Sequence, residues 1–370
     1  MKIVWHSSID DIGAAALEPL EGSPVDFSHG LLRAMERSLW GDLAVRYLCV
    51  EDERGLCGFV PLYFGTNLGF MALMPKLIRL GYEWVVERFG LAMAYRVAIV
   101  GSLISDRGFW PLRPDADAAR VLDRMIAAID AFAREEHAQL VIIKDVHQDF
   151  PGIDRFRAAK FMECHSLPTV RVDTTFQSER DYIAGLSANG RSSARRIIKK
   201  SEERFTFEFV ADYAPLVPEV YPLWRATFLK AEFKLEELPP QFFVECAKSS
   251  PPESELLVCR RDGVIVGAYL ALYHRGQQLN KRIGIDYRDP DSPLIYNALN
   301  MRCLLRAAER GIPLSYLGQT AYTPKLRLGG HLEEQFLFIK PYRFDVGLSL
   351  PIQRLATRRF RREIVERETS

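Results

Sequence analysis

Hydrophobic and polar positions along the chain show the same order of elements twice. Residues 46–64 and 255–274 each contain a β-rich run, a charged turn that ends in glycine, and a second β-rich run, which predicts a hairpin in each half. An amphipathic helix followed by an apolar strand is predicted at 117–146, and the pair recurs at 292–319 after a third strand at 278–286. This repeated order predicts two similar units in tandem.

Each half then continues with a short helical piece and a closing strand, at 156–174 and at 322–341. Hairpins followed by a helix and a strand that can pair in parallel predict an α+β fold, with a mixed, mostly antiparallel sheet flanked by helices in each unit. We predict domains at residues 1–175 and 176–345, followed by a basic C-terminal helix at 346–370 whose charged face is solvated.

Composition limits the classes of partner. The 370 residues are 48% hydrophobic, and 49 Lys and Arg nearly cancel 48 Asp and Glu, giving a net charge of +1. A chain of this length and composition buries one large core or two ordinary ones. A protein with so small a net charge has no overall electrostatic attraction to nucleic acid or anionic lipid. Any attraction to an anion must therefore come from a local cluster of basic residues.

Cysteine usage and apolar segments predict a cytoplasmic location. Six scattered cysteines show neither a CxxC pair nor metal-ligand spacing, so we expect buried thiols in a reducing compartment and no metal site. The N-terminus meets acidic residues before any long apolar run, unlike a signal peptide. The most apolar stretch, 68–105, is interrupted by charges, which predicts buried helices or a cover over the first domain rather than a membrane span; reversible membrane contact is the alternative.

The segment 189–204, NGRSSARRIIKKSEER, predicts a helix with one cationic side. At 100° per residue, one broad arc carries Arg191, Arg195, Arg196, Lys199, Lys200 and Arg204. Ala194, Ile197 and Ile198 occupy the opposite arc and are expected to pack inward. Ser187 or Asn189 can cap the start of this helix and leave backbone N–H groups beside Arg191. The pattern predicts a phosphate-binding surface; an ordinary solvated face is the alternative.

Several segments resemble FemAB-like proteins, a branch of the GNAT acyltransferase superfamily. The segment YIAGLSANGRSSARRIIKKSEE is similar to the helix that opens the catalytic half of those proteins. PLWRATFLKAEFKLEELPPQFF, ELLVCRRDGVIVGAYLALY, LNKRIGID and GQTAYTPKLRLGG follow in the same order, and FSHGLLRAMERS and CGFVPLYF resemble the opening elements. The resemblance covers most of residues 25–340. It implies two GNAT-type domains in one chain and amide formation by transfer of an acyl group to an amine.

The resemblance implies two rival acyl donors, acyl-CoA and aminoacyl-tRNA, used as co-substrates without a tightly bound cofactor. GNAT domains usually hold the CoA pyrophosphate in a glycine-rich turn, whereas the matching segment here, 284–300, carries Asp286, Asp289 and Asp291. Those acids are expected to repel a pyrophosphate, so the resemblance is stronger to the Fem-like members, which depart from the usual mode of CoA binding. The net charge of +1 and the lack of an inserted coiled-coil arm speak against tRNA. Both donors therefore stay open.

Acyl transfer needs a neutral amine, a stabilised oxyanion and a proton route, and no covalent nucleophile motif is present. The resemblance points to Lys325, which matches a family lysine after the fifth strand and can meet donor phosphate or developing charge. Tyr322 can protonate the leaving group, Gln319 can orient the acceptor, and Asp286 stands where GNAT enzymes often have a general base.

The predicted donor phosphate-binding residues are Arg191, Arg195, Arg196, Lys199 and Arg327. Trp224, Phe228 and Phe233 are candidates for the acceptor pocket, with a core role as the alternative.

The resemblance to FemAB-like proteins therefore implies an N-acyltransferase that forms an amide between an acyl or aminoacyl group and a small-molecule amine, with tRNA as one candidate partner. The second domain is expected to supply most of the active groups. A noncatalytic binding module for cell-wall precursors or another anionic partner is the alternative on the same fold.

Overall fold

The structure is a computed structural model, and it describes residues 1–21, 25–39, 41–66, 95–104, 107–231, 237–249 and 253–369. The predictions for 68–94 and for Phe233 lie outside the described residues. Within the described ranges the chain forms two seven-stranded mixed sheets flanked by helices. The predicted α+β class, with a mixed, mostly antiparallel sheet flanked by helices in each of two units, is confirmed.

The first sheet has the strand order β1-β2-β3-β4-β5-β14-β6. Its strands are β1 (Lys2–His6), β2 (Ala44–Asp52), β3 (Gly55–Thr66), β4 (Arg96–Val100), β5 (Leu140–His147), β6 (Met162–His165) and β14 (Gln335–Pro341). Strands β4 and β5 are parallel, and the other neighbours are antiparallel. The helices of this unit are α1 (Ala14–Leu17), α3 (Ala118–Glu135), α4 (Ile153–Ala158) and most of α11 (Phe344–Thr369).

The second sheet has the order β13-β7-β12-β11-β10-β9-β8. Its strands are β7 (Thr169–Asp173), β8 (Thr206–Val210), β9 (Glu253–Arg261), β10 (Val264–His274), β11 (Gln277–Ile285), β12 (Leu314–Gly318) and β13 (His331–Glu333). The helices of this unit are α2 (His29–Glu36), α5 (Glu179–Gly185), α6 (Ala188–Glu202), α7 (Val217–Lys230), α8 (Pro240–Ala247), α9 (Ser292–Glu309) and α10 (Tyr322–Arg327).

The predicted hairpins are present, and local backbone chemistry explains the second one. Strands β9 and β10 are joined by Asp262 and Gly263, both with left-handed φ values of 50° and 83°. An Asp-Gly pair of this kind matches the twist of the flanking strands. On the inner face, Leu257 and Tyr269 of these strands pack against Ile295 and Leu299 of α9. This core fixes α9 on the sheet.

The prediction of one closing strand in each half is wrong in its sheet assignment. Each predicted stretch forms two strands, and the two belong to different sheets. In the first half, β6 stays in the first sheet, whereas β7 pairs antiparallel with β12 and β13 of the second. In the second half, β13 pairs with β7, whereas β14 enters the first sheet between β5 and β6. Alternation of side chains predicts a strand but does not choose its partner, so the exchange is invisible to the sequence pattern.

The two compact units consequently interleave along the chain. One contains residues 1–27, 39–167 and 334–364, and the other contains 28–38, 168–333 and 365–370. All six cysteines are free and buried, as expected from the sequence. Among the described residues, no helix combines the length and apolarity that crossing a membrane requires.

Candidate functional site

The basic helix α6 begins at the predicted cap. The side chain of Ser187 accepts a hydrogen bond from the backbone N–H of Gly190 at 3.1 Å. Ala194 and Ile197 are buried and Ile198 is half-buried, so the predicted apolar arc packs inward. The opposite arc carries its cations outward.

A groove of about 330 Å³ lies between α6, α10 and the start of α9. We call it the cationic groove. Its basic side chains are Arg196, Lys200, Arg204 and Arg327, and Asp291 is the single acid among the described residues that line it. Its remaining lining residues are Ser193, Ile197, Pro290, Pro293, Leu294, Asn297 and Pro324. Positive charge thus collects beside the start of a helix, where an anion is favoured.

The structure divides the predicted phosphate-binding residues. Arg196 and Arg327 meet in the cationic groove. Arg195 and Lys199 instead line a separate surface that also carries Glu179, Glu202 and Glu203. Arg191 donates from Nη1 to the carbonyl oxygen of Leu186 at 2.7 Å.

Helical spacing contains the signal that separates these residues. Arg196, Lys200 and Arg204 follow one i,i+4 row, whereas Arg191, Arg195 and Lys199 follow the neighbouring row. Lys200 and Arg204 belong to the predicted cationic arc but not to the five predicted donor phosphate-binding residues, and they share the groove with Arg196. A prediction based on rows rather than on one broad arc can identify them.

The acids expected to repel a phosphate are held by arginines. Asp291 accepts from Arg204 Nη1 and from Arg261 Nη2, each at 2.5 Å, and Asp289 lies 3.2 Å from Arg261 Nη1. Burial alone would raise the pKa of Asp291, but the hydrogen bonds from the two arginines outweigh it and lower the pKa. The ion pairs offset the repulsion that the sequence predicts.

Backbone N–H groups contribute less positive potential to the groove than they do in the glycine-rich phosphate-binding turn of GNAT domains. At the start of α9, the N–H groups of Leu294 and Ile295 both donate to the carbonyl of Asp291, and residue 293 is a proline, which has no N–H. Side-chain cations, rather than a cradle of amides, therefore supply the positive charge of the cationic groove.

Next to the start of α9, two parallel strands of the second sheet separate. Strands β11 and β12 pair only from Gln277–Leu314 to Leu279–Tyr316, although β11 continues to Ile285 and stays paired with β10. We call the opening beyond Leu279 and Tyr316 the strand fork. Backbone groups beyond this point are not paired between the two strands, so they need other hydrogen-bond partners.

Lys325 belongs to α10, and its ammonium group reaches back to the end of β12, where it holds a strained turn. The side chain is 4% exposed, and Nζ donates to the carbonyl oxygens of Gly318, Gln319 and Thr320 at 3.3, 3.0 and 2.8 Å. Thr320 and Ala321 have left-handed φ values of 60° and 49°. Such backbone is costly for residues other than glycine, so the three hydrogen bonds stabilise the turn.

The other predicted catalytic side chains also have partners in the fold. The buried Tyr322 donates from its hydroxyl to the carbonyl of Pro168 at 2.9 Å. Asp286 accepts from Nε and Nη2 of Arg288 at 2.9 and 2.8 Å, and these hydrogen bonds lower its pKa. Gln319 is half-buried beside Lys325. Their roles in catalysis stay predictions.

Of the aromatic candidates, Trp224 is buried and stacks on Phe243 with ring centroids 3.8 Å apart. Phe228, one turn later on α7, is half-buried. These positions suit a core role for Trp224, and the acceptor pocket stays a prediction.

Comparisons with family models, curated proteins and solved structures identify the class of fold to which the chain belongs. No protein-family model matches the chain. A protein that carries the name 8-amino-7-oxononanoate synthase 2, from Mycobacterium tuberculosis strains CDC 1551 and H37Rv, is 27% identical over 319 residues. That alignment covers 83% of this chain and 41% of the relative, so the chain spans about two fifths of the length of the curated relatives it matches.

Solved structures share the architecture at low sequence identity. FemX superposes with a TM-score of 0.63 at 11% identity, covering 95% of this chain and 100% of FemX. L-PGS from Bacillus licheniformis gives 0.55 at 14% identity, covering 93% and 94%. A tandem GNAT protein from the clavulanic acid biosynthesis pathway gives 0.50 at 13% identity, covering 92% and 98%.

The chain therefore has a tandem GNAT fold. Within that class, its resemblance to the FemAB-like branch is confirmed at the level of the fold, since FemX is among the structures it matches.

Proposed function

We propose that the second unit binds an activated acyl donor by its phosphate groups and transfers the acyl group to an amine. The cationic groove is the observation that supports this function best. Among the described residues, four basic side chains and one acid line it, and that acid already accepts from two arginines. A ligand with several negative charges suits this balance, and phosphate oxygens are good acceptors for arginine.

In this proposal the acyl arm of the donor runs from the cationic groove to the strand fork. The start of α9 supports this path, because Pro293, Leu294 and Asn297 line the groove while the rest of the helix packs on the strands. Acyl-CoA and aminoacyl-tRNA both carry phosphate and an activated carboxyl group. The phosphate chemistry is shared, and binding experiments separate the two sources.

The proposed reaction forms one bond and breaks one. The nitrogen of a neutral amine attacks the acyl carbon, and the bond from that carbon to the sulfur or oxygen of the leaving group then breaks. The nitrogen loses a proton, and the leaving group takes one up. The lowered pKa of Asp286 makes it a weaker base than an ordinary aspartate, so we expect the amine to bind already neutral.

We expect Lys325 to act by positioning. Holding the carbonyls of Gly318, Gln319 and Thr320 keeps the end of β12 in one conformation beside the strand fork. A rigid edge there favours a single path for the donor arm, which is the contribution that preorganisation makes to catalysis.

Charge reversal on α6 tests the proposed donor site. Arg196→Glu places a carboxylate in the cationic groove, so we expect the affinity for the donor to fall about 10- to 100-fold, the value of one or two charge-assisted hydrogen bonds. Arg195→Glu changes the same charge on the separate surface, so affinity should stay within about twofold. Titration calorimetry with acetyl-CoA, and filter binding with aminoacyl-tRNA, would measure both variants. An equal loss in the two variants, or none in Arg196→Glu, contradicts the proposal.

A noncatalytic anion-binding module is the second candidate function. It is favoured by one observation: Lys325, Tyr322 and Asp286 all make hydrogen bonds within the fold. Assays of acyl transfer to a panel of primary amines separate the candidates, since an enzyme releases free thiol or free tRNA and a binding module does not.

A further inference from the structure

The C-terminal helix α11 carries the two most exposed large hydrophobic side chains of the described part of the chain. Phe344 is 81% exposed and Leu355 is 69% exposed, whereas Val264 and Leu229 follow at 63% and 47%. Phe344 and Leu355 are three helical turns apart, so they share one face of α11 at a distance of about 17 Å. Single exposed hydrophobic residues are ordinary, but two on one helix face need an explanation.

Exposed arginines surround these apolar side chains. Arg354, Arg358 and Arg362 follow one i,i+4 row, which lies within about 100° of Leu355 around the helix axis. Residues 346–362 contain five arginines and no acid. Arg354 and Arg358 have no ion-pair partner among the residues that the structure describes. We call the surface formed by Phe344, Leu355 and this arginine row the exposed face of α11.

The other side of α11 is held against the first unit. Arg361 is half-buried and donates from Nε to Oε2 of Glu334 at 2.8 Å. Thr357, also half-buried, forms a hydrogen bond with the thiol of Cys164 in β6. These contacts fix the rotation of the helix, so the exposed face points away from β6.

An open cavity of about 530 Å³ lies where α11 begins, and Phe344 lines it. Its basic side chains are Arg134, Lys340 and Arg343, and no acid is among the described residues that line it. Asp130 lies behind the cavity and accepts from Lys340 Nζ at 2.5 Å and from Arg134 Nε at 3.2 Å, so it offsets part of this charge. Positive charge therefore accompanies the exposed aromatic ring as well as the exposed leucine.

We propose that the exposed face of α11 binds the surface of a membrane that contains anionic lipid. The arginine row and the cavity meet lipid phosphates, while Phe344 and Leu355 leave water at the boundary between headgroups and acyl chains. The sequence alone predicts a solvated face for this helix, and the two exposed apolar side chains change that interpretation. This inference goes beyond the proposed acyl transfer and does not depend on it.

The apolar side chains favour lipid over nucleic acid. Arginines suit the phosphates of either partner, and an aromatic ring can stack on a base. An exposed leucine, by contrast, gains little from a phosphate backbone and much from hydrocarbon. A membrane surface provides both kinds of contact to the same helix face.

The experiment measures cosedimentation of the full chain with lipid vesicles. We expect binding to vesicles of phosphatidylcholine mixed with phosphatidylglycerol, and none to phosphatidylcholine alone. The double variant Phe344→Ser/Leu355→Ser should bind the mixed vesicles about tenfold more weakly, because it loses both apolar contacts. The double variant Arg354→Glu/Arg358→Glu should lose at least about tenfold, because two attractive charges become repulsive.

Matched controls come from exposed positions elsewhere on the chain. Arg120→Glu/Arg124→Glu makes the same change of net charge on an exposed i,i+4 pair of α3, and Val264→Ser removes another exposed apolar side chain. Both controls should stay within about threefold of the unaltered protein. Phe344→Trp keeps an aromatic anchor and should bind at least as tightly as the unaltered protein. All these side chains are exposed, so Tm should stay nearly constant across the set.

Several results would overturn the inference. One is that the unaltered protein does not sediment with the mixed vesicles. Another is an equal loss in the two charge-reversal variants, because the attraction would then depend on net charge rather than on α11. A third is that Arg354→Glu/Arg358→Glu weakens the binding of mixed tRNA and leaves vesicle binding unchanged, which would assign the face to nucleic acid.

Discussion

Gly190, in the first turn of α6, allows that helix to approach α10 closely. A Cβ atom at this position would lie 2.8 Å from the carbonyl oxygen of Arg327, and backbone cannot yield as a flexible side chain does. We expect Gly190→Ala to lower the free energy of unfolding by about 1–2 kcal/mol, since the clash outweighs the gain in helix propensity. Chemical denaturation measures the change.

Gly185, the last residue of α5, provides the matched control. A Cβ atom there meets nothing within 4 Å, so Gly185→Ala should be neutral or stabilising by up to about 1 kcal/mol. Equal stabilisation by both substitutions would show that the close approach of α6 to α10 is wrong.

Lys325 provides a second residue-scale prediction. Lys325→Met keeps the length of the side chain but leaves three carbonyls without their donor, and the left-handed turn at Thr320 and Ala321 loses its support. We expect the free energy of unfolding to fall by about 2 kcal/mol or more. Arg327→Met, at an exposed position, should change it by about 0.5 kcal/mol or less. Thermal unfolding compares the two, and equal Tm values would contradict the structural role.

At the scale of elements, the loop between β11 and α9 is held by ion pairs whose strength depends on pH. Hydrogen bonds from Arg204 and Arg261 more than offset burial and lower the pKa of Asp291 below its usual value of 3.8. A carboxylate with a lowered pKa in the folded state adds stability above its unfolded pKa, and that stability is lost as pH falls through the lowered value.

Asp291→Asn should therefore be less stable than the unaltered protein at pH 7. The difference in Tm should shrink as pH falls below about 4, where the unfolded chain takes up the proton, and should level off below the lowered pKa of Asp291, where both proteins carry an uncharged side chain at this position. A Tm series from neutral to acidic pH makes the measurement. A difference that stays constant across the series would show that the ion pairs do not hold the loop.

Periodicity predicted the elements well because it reports burial on one face of each. The two hairpins, α3 with β5 and α9 with β12 all occur where the apolar pattern indicated. The strand fork has no such signal, since Asn280 and Lys281 continue an ordinary strand pattern. The burial of Lys325 was equally hidden, because its carbonyl partners belong to a turn whose left-handed backbone contains no glycine at Thr320 or Ala321.

At the scale of the whole molecule, β7 and β14 each lie in a sheet made mostly by the other half of the sequence. Strand β14 lies between β5 and β6, so a fragment of residues 1–175 lacks the strand that joins its last two. We expect this fragment to show no cooperative unfolding transition, because β5 would expose an unpaired edge and β6 would have no neighbour.

Circular dichroism during heating checks this expectation, with the full chain as the reference. A sharp transition in the fragment would contradict it and would mean that the first unit needs nothing from the second half.

The exchange of β7 and β14 also restricts how this protein can change over evolutionary time. A gene segment encoding either half alone would deliver a sheet with a missing strand, so the halves cannot be traded among proteins as independent modules. Insertions at loop tips and additions at the two ends leave both sheets complete. New specificity in this lineage should therefore arise by point substitution and loop growth, with the two halves inherited together.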